Sequence, residues 1–398
     1  MTKTLAACGL VLALAAGPAL AQKSYGPGVT DTTIKLGNTG PYSGPVSAAS
    51  TVSKSVGAYF DKINAEGGIN ERKIEFISLD DGYAPPRALE ATRRLVESDQ
   101  VLATVGSVGT PPQFAVRKYM NDRKVPQLFI GSGSSAFVDP QNAPWSIVGS
   151  TSYYVEARLL ARYFGQTMPD SKVAVLYQND DFGKDFLRGF KDALPANLKI
   201  AAEASYETSD PSVDSQVITL KASGAEIFAV FGTQKFAAQA IRRAREAEWK
   251  AKIFVPSVIA SIAAVLQPAG IENSKGVITS TIYKDSNDPR LQNDPAVVEY
   301  FDWFKKYNTK VDVKDSQAAT GGYNDAHMMV AILKQAGDNL TRENIMHLVT
   351  SMHDMHLPML LDGITGNTSP TDYNIFKQMQ FQTFNGESWD RVGGVVSE

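Results

Sequence analysis

The sequence of 398 residues contains a single cysteine, Cys8, and only four histidines. Cys8 lies in an N-terminal segment with the features of a secretory signal peptide, so we expect the mature chain to contain no thiol. Such a chain cannot form a disulfide, bind a metal through a thiolate or use a cysteine nucleophile. An exported protein without cysteine fits a bacterial periplasm.

Residues 1–21 combine an early Lys3, an apolar stretch over 5–16 and the small-residue cleavage pattern ALA. These are the three parts of a signal peptide. A membrane-spanning helix needs about 20 apolar residues, and this apolar stretch is shorter. Most of it follows Cys8, whereas a lipoprotein acylation site would have it before the cysteine. We therefore expect cleavage after Ala21 and a soluble protein in the periplasm.

The sequence also lacks any block of like charges. After loss of Lys3, one of the 39 basic residues, 38 remain against 42 acidic residues, a formal charge of −4. This balance gives no electrostatic reason to expect a nucleic acid or a membrane surface as partner. We expect the protein to be a monomer that binds neither a nucleic acid nor a membrane surface.

Motifs for catalysis and for cofactor binding are missing too. The loop GSGSS at 131–135 has neither GxGxxG spacing nor a P-loop lysine, and it does not match the GxSxG nucleophile elbow. His353 and His356 do not have a zinc-site spacing. The sequence therefore predicts no catalytic residue, no metal and no cofactor.

What the sequence does contain is a regular alternation from Thr32 onward. A short apolar run, a loop rich in Gly, Pro and Ser, and a helical stretch repeat about every 30 residues, which is typical of βαβ units and a parallel sheet. The length suggests two α/β domains. The segment after Gly276 is mostly helical, and we expect it to return to the first domain. Several crossovers between two rigid bodies would form a hinge.

Six segments in series carry a resemblance to a known family: GNTGPYSGP, INAEGGINERKIEFISLDDGY, ATVGSVGT, VPQLFIGSGSS, VAVLYQNDDFGKDF and FAVFGTQKFAAQAIRRARE. In residue type, order and spacing they resemble periplasmic solute-binding proteins of ABC importers of the branched-chain amino acid (Leu/Ile/Val) type. The resemblance covers nearly all of the mature chain. One departure is Glu71, where many members have glycine in a surface turn.

The resemblance implies the type I periplasmic binding protein (Venus flytrap) fold, with two doubly wound parallel-sheet lobes and a three-strand hinge. The crossings are expected near Val148, Thr281 and Leu361. The first lobe would comprise residues 30–147 and 282–360, and the second 148–281 and 361–398. The ligand would lie in the cleft between them, against loops at the carboxyl ends of strands.

Carried over by position, the resemblance implies ligand contacts from both lobes. The first lobe would supply Tyr42, Ser107, Thr110, Ser132, Gly133 and Ser134. Hydroxyls and loop N–H groups can hold a carboxylate removed from water without a buried positive charge. The alternative is that the serines cap the following helices and that Tyr42 caps the helix after its loop.

The second lobe would supply Tyr153, Tyr154, Phe182, Thr233 and Phe236. Aromatic rings at the cleft mouth can stack on a flat or apolar ligand. The alternative for Phe182 and Phe236 is a place in the core. Phe236 stands where relatives that bind amino acids carry an acid, although Asp180 or Asp181 could replace that acid.

The residues and the resemblance together predict a binding protein that takes up a small carboxylate, with an aromatic acid as the preferred ligand, and delivers it to permease subunits in the inner membrane. A ligand ammonium would lack its partner at Phe236, and Tyr42, Tyr154, Phe182 and Phe236 could line a flat slot. Four alternatives remain: an aliphatic keto acid or short fatty acid as the ligand, a branched-chain or other hydrophobic amino acid as the ligand, an exported α/β enzyme, and a sensor with the same fold.

Overall fold

The structure, a computed structural model, describes residues 23–398. The predicted signal peptide lies outside this range. Among the helices of residues 23–398, none is both long enough and apolar enough to cross a membrane.

The first part of the chain alternates strands and helices as predicted. Its elements are β1 (Ser24–Tyr25), β2 (Thr33–Gly40), α1 (Ser50–Ala65), β3 (Lys73–Asp80), α2 (Pro85–Arg93), β4 (Ala103–Val105), α3 (Thr110–Asp122), β5 (Gln127–Ile130) and β6 (Ser146–Val148). Strands β2 to β6 form a parallel sheet in the order β3-β2-β4-β5-β6. We call this sheet with its helices the first lobe. Helix α1 begins at Ser50, directly after a 3-10 turn over Ser47–Ala49.

The second part repeats the alternation. Its elements are α4 (Tyr153–Thr167), β7 (Lys172–Gln178), α5 (Asp181–Asp192), β8 (Lys199–Tyr206), α6 (Asp214–Lys221), β9 (Ile227–Phe231), α7 (Gln234–Glu246), β10 (Lys252–Phe254), α8 (Gln267–Ala269), α9 (Ile271–Ser274) and β11 (Ile278–Thr281). The five strands pair in parallel. Side-chain oxygens of Ser152 and Asp180 cap α4 and α5, which fixes where both helices begin.

The C-terminal part adds helices to the first lobe and strands to the second sheet. Its elements are α10 (Pro295–Tyr307), α11 (Ser316–Ala336), β12 (Asn339–Leu340), α12 (Arg342–Val349), β13 (Gln378–Phe384) and β14 (Trp389–Ser397). Helices α10 and α11 pack on α1 of the first lobe. Strands β13 and β14 are antiparallel and extend the second sheet to seven strands, in the order β14-β13-β11-β10-β9-β7-β8. We call this sheet with its helices the second lobe.

The described chain therefore passes between the two sheets three times: after β6, after β11 and before β13. The second and third passages lie side by side. The N–H of Leu361 donates to the carbonyl of Ile282 at 2.9 Å, and the N–H of Lys284 donates to that of Met359 at 2.8 Å. The first two passages line the space between the lobes, and so does β13, which follows the third.

Candidate functional site

A cavity of about 190 Å³ lies between the lobes. At about 15 Å³ for one water on this measure, it has room for roughly a dozen water-sized atoms. The first lobe lines it with the turn before α1, the end of β5 and one face of α11, and the second lobe with the N-terminus of α7 and the loop after β10. In the order of these five elements, the lining includes Ala49, Ser132, Gly321, Gln234 and Ser257.

The cavity lining is neutral or acidic and poor in aromatic rings. Within the described part of the chain, no lysine, arginine or histidine lines it, and its acids are Asp315 and Asp325. Tyr283 is its one aromatic residue there, and most other lining residues have hydroxyl, amide or small aliphatic side chains. Such a wall suits a compact ligand with both polar and apolar parts.

Ser132 joins this cavity to a cluster of hydroxyls that the sequence predicted. The oxygens of Thr110 and Ser132 are 2.7 Å apart, and the Ser134 N–H donates to Ser132 Oγ at 3.2 Å. Burial raises the pKa of Tyr153 to about 12, although hydrogen bonds with Gly133, Thr110 and Ser132 act in the opposite direction. A Cβ at position 133 would lie 2.5 Å from the Tyr153 ring, which explains the glycine there.

The two remaining serines of the first lobe have structural partners. The Ser107 hydroxyl accepts from the N–H of Thr39 at 3.2 Å and is buried. The Ser134 hydroxyl accepts from the N–H of Ala136 at 3.4 Å and caps a short 3-10 turn. Ser134 is therefore a capping residue, which was the alternative to ligand contact. Of the residues predicted to contact the ligand, only Ser132 lines the cavity itself.

Two predicted residues of the second lobe are buried and do not line the cavity. The ring of Phe182 packs edge-on against Tyr153 at 4.9 Å between centroids. The N–H of Thr233 donates to the hydroxyl of Tyr206 at 2.9 Å. Phe182 is also part of the core, because it packs on Phe186.

Three predicted aromatic residues lie elsewhere. The hydroxyl of Tyr42 bonds with that of Ser78, and the hydroxyl of Tyr154 donates to Asp192 at 2.9 Å on the outer side of α5. Phe236 packs on Tyr206 at 4.3 Å within the core of the second lobe. The flat slot expected from Tyr42, Tyr154, Phe182 and Phe236 is therefore not formed in this structure.

Sequence reasoning missed a polar network of buried residues that links the two lobes. The hydroxyl of Tyr206 donates to Gln178 Oε1 at 3.0 Å, and Gln178 Nε2 donates to Asp180. Tyr83, from the loop after β3, reaches this network across the cleft, and burial raises its pKa well above 10, with Asp180 adding to the rise. Gln178 and Tyr206 are the last residues of β7 and β8. Their location at the carboxyl ends of strands is a signal that could have identified them from the sequence.

The second-lobe wall of the cavity is held by a carboxyl that no sequence signal marked. Glu156 on α4 is completely buried and accepts from the N–H of Ser257 at 2.7 Å and from its hydroxyl at 2.8 Å. It also accepts from the hydroxyl of Ser280 at 2.6 Å. Burial raises the pKa of Glu156, and these three hydrogen bonds oppose the rise.

Within residues 23–398, no group of three or more His, Cys, Asp or Glu side chains is arranged to hold a metal ion. The convergent groups of the cavity are hydroxyls, amides and carboxyls, which can bind a solute through hydrogen bonds.

Comparison with known proteins gives a family match over residues 33–387, to the family described as periplasmic binding protein. An amino acid binding protein of Pseudomonas aeruginosa is 26% identical over 67% of this chain and 71% of its own length. Two solved structures share the fold. One is a branched-chain amino acid ABC transporter protein from Thermus thermophilus with bound valine (TM-score 0.83, 15% identity, 93% of this chain and 98% of that one). The other is a solute binding protein of an ABC transporter from R. palustris in complex with 4-hydroxybenzoate (0.77, 16%, 92% and 97%).

These similarities confirm the predicted fold class, the type I periplasmic binding protein fold with α/β lobes. The family and the fold are those of periplasmic solute-binding proteins, which are not enzymes. Because the family match extends over most of the sequence, this chain belongs to the periplasmic binding protein family.

Proposed function

We propose that this protein captures a small carboxylic acid in the cavity between its lobes and delivers it, as a monomer, to the permease subunits of an ABC importer. The observation that carries the proposal is the cavity itself, because both lobes and the first two chain passages contribute to its wall. A ligand in this position contacts both rigid bodies and the segments that connect them. Its binding can therefore bias their relative position.

The carboxylate is expected to bind to neutral donors at the place where the two lobes meet. Ser132 lines the cavity, and Thr110 and Tyr153 supply hydroxyls next to it. Hydroxyl and N–H donors can replace the water of a carboxylate without a buried cation. The absence of lysine and arginine from the described lining agrees with this mode of binding.

The body of the ligand is expected to be compact and aliphatic. Side chains such as Ala49, Val52, Val108 and Met379 line the cavity, and they can pack on branched aliphatic groups. The aromatic acid expected from the sequence depended on four rings that lie in separate places in this structure. An aromatic acid and the amino acids that appear in the names of the relatives are therefore the alternatives to a compact aliphatic acid.

The test is a ligand panel measured by thermal unfolding and by calorimetry. It should contain branched-chain and aromatic amino acids, their deaminated acids, 4-hydroxybenzoate and a hydroxycinnamate. A ligand at 100 times its dissociation constant adds about 2.7 kcal/mol to the free energy of unfolding. We expect a rise of several degrees in melting temperature with at least one compact acid. No shift and no heat with any member would contradict the proposal.

Closure of the two lobes is the expected response to the ligand, and the structure contains a contact that can stabilise it. Asp185 on α5 accepts from the N–H of Ser135 at 2.8 Å and from its hydroxyl at 2.7 Å, and Ser135 follows β5 in the first lobe. Arg188 donates to both Asp185 and the Ser135 hydroxyl at 2.6 Å. These hydrogen bonds join the lobes directly.

Asp185→Ala is expected to raise the dissociation constant of the tightest panel ligand about tenfold or more. Hydrogen bonds to charged groups contribute about 1.5–3 kcal/mol, and 1.4 kcal/mol is a factor of ten in affinity. The matched control is Asp192→Ala on the same helix, because Asp192 bonds Tyr154 within the second lobe. Equal affinities of the two variants in calorimetry would show that the contact does not favour the bound state.

A further inference from the structure

We propose that the protein has a second binding site, a crevice beside the chain passage after β6, which binds a small polyvalent oxyanion between the two lobes. The crevice has a volume of about 590 Å³, a size typical of small-molecule sites. The first lobe lines it with α3 and the loop after β5, and the second lobe with α4, α5 and the end of β14. None of its lining residues lines the cavity for the solute.

Two guanidinium groups from opposite lobes converge on this crevice. Arg117 on α3 donates through Nη1 to the carbonyl of Ala136 at 2.7 Å. Arg188 on α5 donates through Nη2 to the hydroxyl of Ser135 at 2.6 Å. Because both guanidinium groups bond to adjacent residues of one loop, a single small anion can contact both of them.

Both side chains keep donors that no acceptor in the described chain uses. Arg188 bonds to Ser135 and Asp185 through Nη2 alone. The one hydrogen bond of Arg117 within residues 23–398 is that to Ala136, and it forms no ion pair there. A guanidinium has five N–H donors in a planar fork that matches carboxylate and phosphate oxygens. An anion with several oxygens can therefore use the free donors of both groups.

Aromatic rings hold both guanidinium groups in place. The central carbon of the Arg117 guanidinium lies 4.6 Å from the centroid of the Phe114 ring, and that of Arg188 lies 4.7 Å from the Tyr154 ring. Such cation–π contacts favour one position of a flexible side chain. The side chains then lose less freedom when an anion binds, which lowers the entropic cost of binding.

The acids that line the crevice already have partners. Asp139 accepts from two backbone N–H groups at 3.0 and 3.1 Å and from the side-chain amide of Asn142 at 2.7 Å. Glu398 forms an ion pair with Arg158 at 2.6 Å. Of the charged residues that line the crevice, Arg117 is therefore the one without a direct partner of opposite charge or a donor to its charged group.

The crevice and the cavity for the solute share one wall, formed by the loop after β5 and the passage after β6. In the loop, Ser132 lines the cavity and Ser135 the crevice. In the passage, Thr151 lines the cavity and Ser152 the crevice. An anion that ties the loop to α5 stabilises this wall and the contact between the lobes. The anion and the solute should therefore strengthen each other's binding.

The site is tested by calorimetric titration of the solute-free protein with citrate and, separately, with inorganic phosphate. Sodium chloride keeps the ionic strength constant, so that general screening does not change. We expect one site with a dissociation constant of about 1 mM or lower, because two charge-assisted contacts of ordinary strength supply this affinity. The anion that binds more tightly identifies the class, carboxylate or phosphate. Absence of heat with both anions would overturn the inference.

Arg117→Gln and Arg188→Gln should each weaken binding of this anion about tenfold or more, since each removes one charge-assisted contact. The matched control is Arg123→Gln, because Arg123 directly follows α3, lies 5.7 Å from the ring of Tyr119 and does not line the crevice. The control should bind within about threefold of the wild type. Equal losses in the control and in Arg117→Gln would overturn the inference. Wild-type affinity in Arg188→Gln would place the anion on one lobe and overturn the bridge between the lobes. Thermal unfolding verifies that each variant is folded.

The coupling to the cavity rests on the proposed function and has its own measurement. The tightest ligand of the panel is titrated with the anion at saturation and with sodium chloride at equal ionic strength. We expect the anion to lower the dissociation constant about fivefold or more in the wild type and to have no effect in Arg117→Gln. Equal affinities in both solutions would overturn the coupling and leave the site. If no panel ligand binds, the proposed function fails, whereas anion binding that is lost in Arg117→Gln would still establish the crevice as a site.

Discussion

Glu156→Leu is expected to lower the free energy of unfolding by about 3 kcal/mol, the largest loss of stability among the substitutions considered. Leucine has a similar size but accepts no hydrogen bond. The N–H and hydroxyl of Ser257, which are part-buried, and the buried hydroxyl of Ser280 would lose the acceptor they now share. A buried donor without a partner costs about 1–3 kcal/mol, and removal of the buried carboxyl offsets part of the sum. Urea unfolding measures the difference.

The loss should depend on pH in a defined direction. Burial raises the pKa of Glu156 above its ordinary value of 4.5. A carboxyl whose pKa is higher in the folded state contributes most to stability below the unfolded pKa and loses that contribution as pH rises through the folded pKa. The leucine variant lacks this titration, so the difference from wild type should be larger at pH 5 than at pH 8. A constant or opposite trend would contradict the role of burial.

A double substitution separates the hydrogen bonds from general packing damage. Ser280→Ala removes one donor that Glu156 now accepts from at 2.6 Å. In the Glu156→Leu background it should cost less than in the wild type, because its hydroxyl no longer has this acceptor. Additive effects of the two substitutions would show that Ser280 and Glu156 are not energetically coupled.

The order of strands and loops could be predicted because it depends on local patterns. The apolar runs before Thr110, Ser132 and Thr233 indicated strands, and small polar residues after strands of a parallel sheet meet at its carboxyl edge. The structure accordingly brings Thr110, Ser132 and Tyr153 together. The direction of a single side chain is harder to predict from the sequence. Phe236, for example, packs on Tyr206 in the core and does not point towards the cavity.

The hinge side of the cavity could not be predicted, because its parts are distant in sequence. Glu156 meets Ser257 and Ser280 across separations of 101 and 124 residues, and no local pattern links them. Gly321 and Asp325 lie one turn apart on α11. Their spacing shows that they share a face of the helix, but only the packing of α11 on α1 decides that this face looks into the cleft.

Filling the cavity is expected to abolish ligand binding while the protein remains folded, and Gly321 is the position for it. A Cβ added to Gly321 meets no atom within 4 Å, and the residue lines the cavity. In Gly321→Phe the ring would therefore occupy the space of the ligand. Glycine is also a poorer helix former than phenylalanine by some tenths of a kcal/mol, about 0.5. The stability of the free protein should be unchanged or slightly higher.

The matched control is Gly394→Phe on β14, where the added Cβ also meets nothing within 4 Å and the residue is exposed and does not line the cavity. Calorimetric titration of wild type and both variants with the tightest ligand of the panel is the most direct measurement. Gly321→Phe should lose affinity by about 100-fold or more, equivalent to about 2.7 kcal/mol, whereas Gly394→Phe should bind as the wild type does. Binding of wild-type strength by folded Gly321→Phe would show that the solute does not occupy the cavity between the lobes.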